Sequence, residues 1–371
     1  MLLKKIKLKN FRNYEDSAAS LSPGINIIIG DNGAGKSNIL EAAQFSCCGC
    51  SFRTSREAEM IGKGQRFFRL EAEIEDRGQS LTRHISYEAE TGVRVNAGGG
   101  PEWLRTGSIL SFSPDDLQLV KGPPATRRRF LDDAVSRRRP AHHRRLLDYQ
   151  KVLSQRNSFL QRARAGLTRL ADIRPWDRQL AALAILISRA RREMCRDIQP
   201  HFIDAYNGVT GDRISLRIGL VSQVGEPAGE KEPEAALVER LEKEWSKDME
   251  GARTGTGSHR DDMELTLDGR SLRRYGSQGE QRTAVLALLL AGRGLAIASG
   301  ERPPVLLLDD VMSELDRGRR HRLMAMLRHP EGQTLITAAD RGLFLDGELE
   351  GAAIMEVCRG AVLESWAESS V

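Results

Sequence analysis

The chain has 371 residues, of which 40% are hydrophobic and 29% charged, a composition typical of a globular protein with room for two compact units. It has no run of about 18 apolar residues, and its lysine-rich start is unlike a secretory signal, so we expect no membrane span and a cytoplasmic location. Its net charge is +5, and its five cysteines include one cluster, Cys47-Cys48-Gly49-Cys50, but not the two C-x-x-C pairs of a zinc site, so reduced thiols are expected.

The chain up to residue 121 is predicted to form short strands around one helix. Apolar runs and alternating patterns predict the strands Leu3–Leu8, Ile25–Ile29, Arg69–Ile74, Leu81–Tyr87 and Ile109–Phe112. The helix is expected to begin at the end of a glycine-rich loop and to run to about Cys47.

That glycine-rich loop matches the pattern G-x-x-x-x-G-K-[ST] at every position. It consists of Gly30, Asp31, Asn32, Gly33, Ala34, Gly35, Lys36 and Ser37. Between a strand and a helix, such a loop points backbone N–H groups at the β- and γ-phosphates of a nucleotide. Lys36 would add a point charge at these phosphates, and Ser37 a hydroxyl ligand for Mg²⁺. The loop therefore predicts an ATP site.

The next segment, 122–250, opens with Gly122-Pro123-Pro124 and is predicted to be mostly helical. Its longest predicted helix runs from Trp176 to Tyr206. A helix of about 30 residues is only ~45 Å long, so the segment can form a short arm but not a long coiled coil.

Positive charge is concentrated in this segment. Residues 121–164 contain 13 Lys or Arg and three acids, which is more net positive charge than the whole chain carries. Such a concentration favours a phosphate-backbone partner, and with few aromatic residues nearby we expect contacts to duplex or gapped DNA rather than to stacked bases. The alternative is that these arginines pair with acids inside the protein. The candidate DNA contacts are Arg127, Arg128, Arg137, Arg138 and Arg144.

From residue 251 the pattern returns to alternating strands and helices. The predicted elements are Glu264–Leu267, Gly279–Ala298, Val305–Leu308 and Thr334–Thr337. The apolar strand Val305–Leu308 is followed by Asp309 and Asp310, which its carboxyl end would deliver to the phosphate site. Asp309 would hold the Mg²⁺ shell, and Asp310 would polarise the attacking water.

The helix before that strand begins with Ser277, Gln278, Gly279 and Glu280. Ser277 and Glu280 have the spacing of a capping box, and a capped helix start is also an anion site. At this distance before Asp309, the segment resembles the signature loop of ABC ATPases, which contacts the γ-phosphate of ATP bound to the other subunit.

Taken together, these blocks resemble the bacterial RecF family over nearly the whole chain. The further blocks that carry the resemblance are Leu8–Tyr14, Phe112–Leu117, Arg127–Asp132, Ser258–Asp262 and Leu307–Asp316. The resemblance implies an α/β fold, an ABC-type P-loop ATPase head related to SMC heads with an inserted helical arm domain. The expected division is 1–121 for the N-terminal lobe of the head, 122–250 for the basic arm, and 251–371 for the rest of the head.

The resemblance also implies a mechanism. Two ATP molecules with Mg²⁺ would be held between the P-loop of one subunit and Ser277 of the other, and the dimer would hold duplex or gapped DNA. Partners would be RecR and RecO, with which the family loads recombinase onto gapped DNA. Arg12 and Asn13 are expected to contact ATP. The segment Ser313, Glu314, Leu315 and Asp316 matches the D-loop that crosses the dimer interface.

Two departures from the ABC pattern predict slow hydrolysis, as suits a weak, DNA-stimulated ATPase acting as a switch. Asp310 is one methylene shorter than the usual Glu, and Ala338-Ala339-Asp340 stands where many ABC ATPases carry a histidine. The glutamine at the junction of the two lobes has three candidates, Asp115, Asp116 and Gln118. The alternative function is an ABC-type ATPase subunit that powers a nuclease or transport complex.

Overall fold

The strands of the protein form three β-sheets in this computed structural model, which describes residues 1–76, 78–97, 109–225, 232–330 and 332–367. In chain order the strands are β1 (Leu2–Phe11), β2 (Tyr14–Ser20), β3 (Gly24–Ile29), β4 (Phe67–Asp76), β5 (Gln79–Glu88), β6 (Gly92–Ala97), β7 (Ile109–Phe112), β8 (Leu216–Val221), β9 (Asp262–Leu267), β10 (Arg270–Ser271), β11 (Val305–Leu308), β12 (Gln333–Ala338), β13 (Ala353–Cys358) and β14 (Ala361–Ala367). The sheet orders are β2-β1-β4-β5-β6, β14-β13-β3-β12-β11-β7 and β10-β9-β8.

The helices of the described residues range from single turns to ten turns. In chain order they are α1 (Lys36–Cys48), α2 (Gln118–Lys121), α3 (Pro124–Arg138), α4 (Ala141–Arg164), α5 (Arg174–Thr210), α6 (Pro233–Lys243), α7 (Trp245–Gly251), α8 (Leu272–Tyr275), α9 (Gln278–Ala298), α10 (Arg317–Leu327) and α11 (Asp346–Leu349). Short 3-10 helices occupy Glu57–Met60, Pro114–Leu117, Leu170–Ile173, Ser258–Arg260, Val311–Glu314 and Arg341–Leu343.

The six-stranded sheet carries the elements that hold the candidate site. β3, β7, β11, β12 and β13 are parallel, and β14 closes one edge as an antiparallel strand. All four residues of β11 and all six of β12 are buried, as expected for parallel strands covered on both faces. Their carboxyl ends lie at one edge, where β3 leads into Gly30 and β11 leads into Asp309.

The five-stranded sheet is antiparallel and has one apolar face. Along β1, Leu3, Ile6 and Leu8 are completely buried, whereas Lys7 and Lys9 are exposed. The buried residues share a hydrophobic core with α1 and with the six-stranded sheet. The helix that follows the glycine-rich loop is therefore a core element, in contact with strands of both sheets.

The chain packs as two compact units. The first comprises residues 1–116, 204–213 and 282–371, and the second comprises 117–203 and 214–281. A change in the sequence pattern predicts a domain boundary at residue 250. In the structure, β8 before this position pairs with β9 after it, with Leu216 opposite Leu267, so both strands belong to the second unit. The assignment of an ATPase head and an arm domain to parts of the chain stays a prediction.

Two helices differ from the sequence expectations. α5 has 37 residues and extends the predicted helix at both ends. α9 is, by length and composition, able to cross a membrane, although the sequence contains no uninterrupted apolar run of that length. Of its most apolar window, 61% is buried inside the protein, as in a core helix, so the feature is weak evidence for a span.

Candidate nucleotide-binding site

The glycine-rich loop lies between β3 and α1, as predicted, and its glycines are required by close packing. A Cβ at Gly30 would lie 2.2 Å from the carbonyl oxygen of Val357, a separation too short for any side chain. At Gly35, where φ is +120°, a Cβ would lie 2.8 Å from the side chains of Asn13 and Tyr14. α1 begins at Lys36, so its N-terminal N–H groups face the loop, an arrangement that favours a bound anion.

Lys36 and Ser37 place a positive charge and a hydroxyl at the start of α1. The Lys36 ammonium donates to the carbonyl oxygens of Gly30, at 2.5 Å, and Asp31, at 3.0 Å, and so stays folded over the loop. Ser37 Oγ donates to Asp309 Oδ1 at 2.8 Å. The sheet therefore brings together two predicted metal-binding residues that are 272 positions apart in the chain.

These two residues fit the magnesium ion that the prediction requires. A serine hydroxyl and a carboxylate are hard oxygen donors, and Mg²⁺ is usually bound by one or two carboxylates together with substrate phosphates and water. Asp309 is 7% exposed, so its charge lies in a partly desolvated site where a cation is strongly favoured. Elsewhere in the described ranges, no cluster of three His, Cys, Asp or Glu side chains could form an all-protein metal site.

Asp310 adopts an unusual backbone conformation. Its φ of +51° lies in the left-handed region, which is uncommon for residues other than glycine. Its N–H donates to Thr337 Oγ1 at 2.8 Å, and its carbonyl oxygen accepts from Ser313 Oγ at 2.9 Å. Thr337 was not among the predicted site residues. Its place at the end of a buried strand next to β3 becomes visible only once the strand order is known.

The turn between β1 and β2 packs against the loop. Asn13 Nδ2 donates to the carbonyl oxygen of Ala34 at 2.8 Å, and the Tyr14 hydroxyl donates to that of Gly35 at 3.0 Å. Arg12 forms a two-pronged ion pair with Glu41 of α1, at 2.8 and 2.7 Å. Glu41 is completely buried, so Arg12 is fixed against α1, whereas Asn13 bonds to the loop itself. Whether they contact ATP stays a prediction.

The predicted capping box is present at the start of α9. Ser277 Oγ accepts from Glu280 N at 3.3 Å, and Glu280 Oε2 accepts from Ser277 N at 2.7 Å. Ser277, Gln278 and Gly279 are exposed, so the capped helix start is presented at the surface.

The predicted D-loop is connected to α9 and to α10. Glu314 pairs with Arg282 Nη2 at 3.1 Å, and burial raises the pKa of the Glu314 carboxyl. Asp316 caps α10 by accepting from Arg319 N at 2.9 Å, a bond that lowers the pKa of its carboxyl. Leu315 is buried, whereas Ser313 is exposed.

The candidate DNA contacts differ in exposure. Arg127 is 3% exposed, and its guanidinium pairs with both oxygens of Asp262, at 2.6 and 2.9 Å. Arg127 therefore forms the internal ion pair that was the alternative, which contradicts its prediction as a DNA contact. Arg128 is half-buried and donates to the carbonyl oxygen of Asp261 at 2.8 Å. Arg137 and Arg138 are half-buried, and Arg144 is exposed.

Within the segment Ser258–Asp262, Ser258 and Asp261 are buried in the second unit, whereas Arg260 is exposed. Arg191 donates to Asp261 Oδ2 at 2.9 Å and to both oxygens of Asp132, and Asp261 also accepts from Ser188. His259 is held between the Tyr149 hydroxyl, at 2.7 Å, and the carbonyl oxygen of Thr254, at 3.1 Å. These side chains therefore hold the second unit together.

Comparison with known proteins identifies relatives over the whole chain. A family model described as an AAA domain matches residues 5–170. The chain is 35% identical to the DNA replication and repair protein RecF of Heliobacterium modesticaldum, over 98% of this chain and 100% of that protein. It is 34% identical to the protein of the same name from a Synechococcus strain, over 98% of each chain.

Solved structures give the same result for the fold. A RecF structure with ATP, a recombination mediator protein of the RecFOR pathway, superposes with a TM-score of 0.85 and 28% identity, over 98% of this chain and 97% of that one. An SMC head superposes with a TM-score of 0.60 at 15% identity, over 100% and 98% of the two chains, which shows a shared fold. The predicted α/β fold with an ABC-type P-loop ATPase head is confirmed.

Proposed function

The chain belongs to the RecF family of DNA replication and repair proteins, and we propose that it is an ATP-dependent clamp on duplex or gapped DNA. The observation that carries this proposal is the bond between Ser37 and Asp309, which joins the glycine-rich loop to the carboxylate strand. Two motifs that are far apart in sequence then serve one nucleotide. We place the protein in the cytoplasm, where its DNA substrate is.

Each residue of the site has a role when ATP is bound. Lys36 would exchange its bonds to loop carbonyls for the β- and γ-phosphate oxygens, and the N–H groups of residues 30–37 would surround the phosphates. Ser37 and Asp309 would hold Mg²⁺, which neutralises charge on the phosphates. Asp310, next in the chain, would orient the attacking water.

The exposed start of α9 supports a dimeric active form. Ser277, Gln278 and Gly279 offer a capped, solvent-accessible helix N-terminus, which suits the γ-phosphate of ATP held by a second copy of the chain. Two such contacts would close a symmetric dimer around two nucleotides. ATP binding would therefore assemble the clamp, and hydrolysis would release it.

The clamp would act in recombinational repair. RecR and RecO are the partners expected from the RecFOR pathway named for the ATP-bound relative, and together they would promote recombinase loading at single-strand gaps. A short carboxylate at Asp310 suits slow, DNA-stimulated hydrolysis that times the release of the clamp rather than driving movement.

The first test is fluorescence anisotropy of labelled duplex, single-stranded and gapped DNA, with ATP, with ADP and without nucleotide. Tight, salt-sensitive binding to duplex or gapped DNA only with ATP is the expected result. An affinity for each DNA that is the same with ATP, with ADP and without nucleotide would refute the clamp.

Two variants separate nucleotide chemistry from assembly. Lys36→Arg is expected to abolish hydrolysis, because its planar guanidinium cannot replace the compact ammonium at the phosphates. Ser277→Arg is expected to keep ATP binding by the monomer and to lose ATP-induced dimers in analytical ultracentrifugation. A Ser277→Arg protein that still forms dimers with ATP would show that the α9 start is not the contact.

A further inference from the structure

A buried hydroxyl joins the two carboxylate residues of the site. Thr337 Oγ1 lies 2.7 Å from Asp309 Oδ1 and 2.8 Å from the backbone nitrogen of Asp310. A threonine hydroxyl has one hydrogen to donate and lone pairs to accept, so it donates to the Asp309 carboxylate and accepts the Asp310 N–H. The side chain is completely buried, so both bonds are made away from solvent.

The strand order explains why this threonine reaches the site. β12 lies between β3, which leads into the glycine-rich loop, and β11, which leads into Asp309. In the parallel register Ile336 is opposite Leu308 and Thr337 is opposite Ile28. Thr337 therefore stands one residue beyond the level of Leu308, at the edge of the sheet where ligands of doubly wound folds bind.

The bond to Asp309 fixes the orientation of a carboxylate. Asp309 Oδ1 accepts from Thr337 and, at 2.8 Å, from Ser37. Hydrogen bonds to a charged group in a partly desolvated site are the strong ones, so two donors hold one carboxylate oxygen in place. Without Thr337 the carboxylate would keep one of these anchors and could rotate about it.

The bond to Asp310 fixes a backbone. The left-handed conformation of Asp310 is uncommon for a residue with a side chain, and such conformations persist only where the surroundings hold them. Thr337 holds its N–H, and Ser313 holds its carbonyl oxygen at 2.9 Å. Both ends of the residue are thus anchored, which sets the direction in which its carboxylate leaves the chain.

We propose that Thr337 is a positioning residue for ATP hydrolysis, which orients the Asp309 carboxylate and the Asp310 backbone at once. It stands at the end of the strand after which many ABC ATPases carry a histidine and this chain has Ala338-Ala339-Asp340. The inference rests on the proposed function, because Thr337 has this role only where Asp309 and Asp310 act on bound ATP.

The test compares two substitutions of Thr337 in the full-length protein. Thr337→Val keeps the shape and removes the hydroxyl, and it is expected to lower kcat by about 10- to 100-fold, the loss of one hydrogen bond to a charged group. KM for ATP and the Kd of a fluorescent ATP analogue are expected to change less than about threefold, because the phosphate contacts of the loop remain. Thr337→Ser, which keeps the hydroxyl, is expected to restore most of kcat.

Thr334 provides a matched control on the same strand. It is also completely buried, and it lies three residues away, about 10 Å along the strand. Thr334→Val is expected to leave kcat within about twofold of the original protein, with thermal unfolding measured for all three variants.

Two outcomes would overturn the inference. One is an unchanged kcat in Thr337→Val, and the other is an equal loss of kcat in the Val and Ser variants, which would indicate a purely structural role. If Lys36→Arg also hydrolysed ATP normally, the proposed function itself would fail. An unchanged Thr337→Val beside an inactive Lys36→Arg would remove only the role of Thr337.

Discussion

Arg127 shows that a basic residue in a basic segment can belong to the interior of a protein. Its neighbours in sequence gave it the charge context of a DNA contact, but its guanidinium binds Asp262 and accepting carbonyl oxygens such as that of Gly122, at 2.9 Å. Charge counting does not distinguish such a residue from Arg144, which is exposed on α4. The difference is decided by which face of a helix meets the rest of the unit.

We therefore predict opposite effects for these two arginines. Arg127→Ala leaves Asp262 without its partner, and the free energy of unfolding should fall by about 2 to 4 kcal/mol in urea titrations. Arg144→Ala should change stability by less than about 0.5 kcal/mol, while weakening DNA binding and reducing the slope of its salt dependence by about one. A stable Arg127→Ala protein with weakened DNA binding would restore Arg127 as a DNA contact.

At the scale of elements, the segment from Thr254 to Asp262 places buried polar side chains in the interior of the second unit. His259 bonds to the Thr254 carbonyl through Nε2, which must carry the hydrogen, so Nδ1 accepts from the Tyr149 hydroxyl. Burial, opposed by the Thr254 bond and aided by nearby arginines, lowers the pKa of His259 to about 4. The imidazole is therefore neutral in the folded protein at neutral pH.

This histidine predicts a pH dependence of stability. The unfolded histidine titrates near pH 6.5, so its contribution is complete above that pH and is lost as the pH falls towards 4. The loss should reach about 2 to 3 kcal/mol. His259→Gln, which cannot titrate, should lose less stability than the original protein between pH 7 and pH 5 in urea titrations. Equal losses in both proteins would show that His259 is not the group responsible.

Elements with strong local signals were predicted well from the sequence. The glycine-rich loop lies between a strand and a helix as predicted, and β7 and β11 have the predicted bounds. A loop motif and a short apolar run can be recognised because they are defined by residues adjacent in sequence. β8 was missed inside a segment predicted as helical, because its six residues are stabilised by pairing with β9, 40 positions or more away. The capping box at α9 was predicted, since both of its partners lie within one turn.

The candidate site was predicted where one motif defines it and missed where the sheet assembles it. Ser37 and Asp309 could be paired because each belongs to a motif of known context. Thr337 and Glu41 carry no signal of their own, and only the strand order and the packing of α1 give them a role. Long-range contacts of single polar residues are therefore the part of the site that the sequence conceals.

At the scale of the whole molecule, the first and last parts of the chain build one site. Gly360 N donates to the carbonyl oxygen of Ala34 at 2.9 Å, and Gly360 O accepts from Ser17 Oγ at 3.2 Å. β13 pairs along four residues with β3, the strand that leads into the loop. The end of the chain thus packs directly on the loop near its start.

We predict that a chain ending at Gly351, which lacks β13 and β14, will not bind ATP. Removing β13 exposes one edge of β3 and deletes the backbone that contacts Gly30, so the loop loses its support. Equilibrium binding of a fluorescent ATP analogue would measure this, with a chain ending at Ala367 as the control. Full-strength binding by the shorter chain would show that the loop folds without β13.

The same contact has a consequence for biosynthesis. Val357 and Gly360, which complete the surroundings of residues 30–37, are translated more than 300 residues after the loop itself. Until these two residues have been made, the loop lacks the contacts that they provide. Nascent protein is therefore expected to bind nucleotide only after Gly360 has been synthesised.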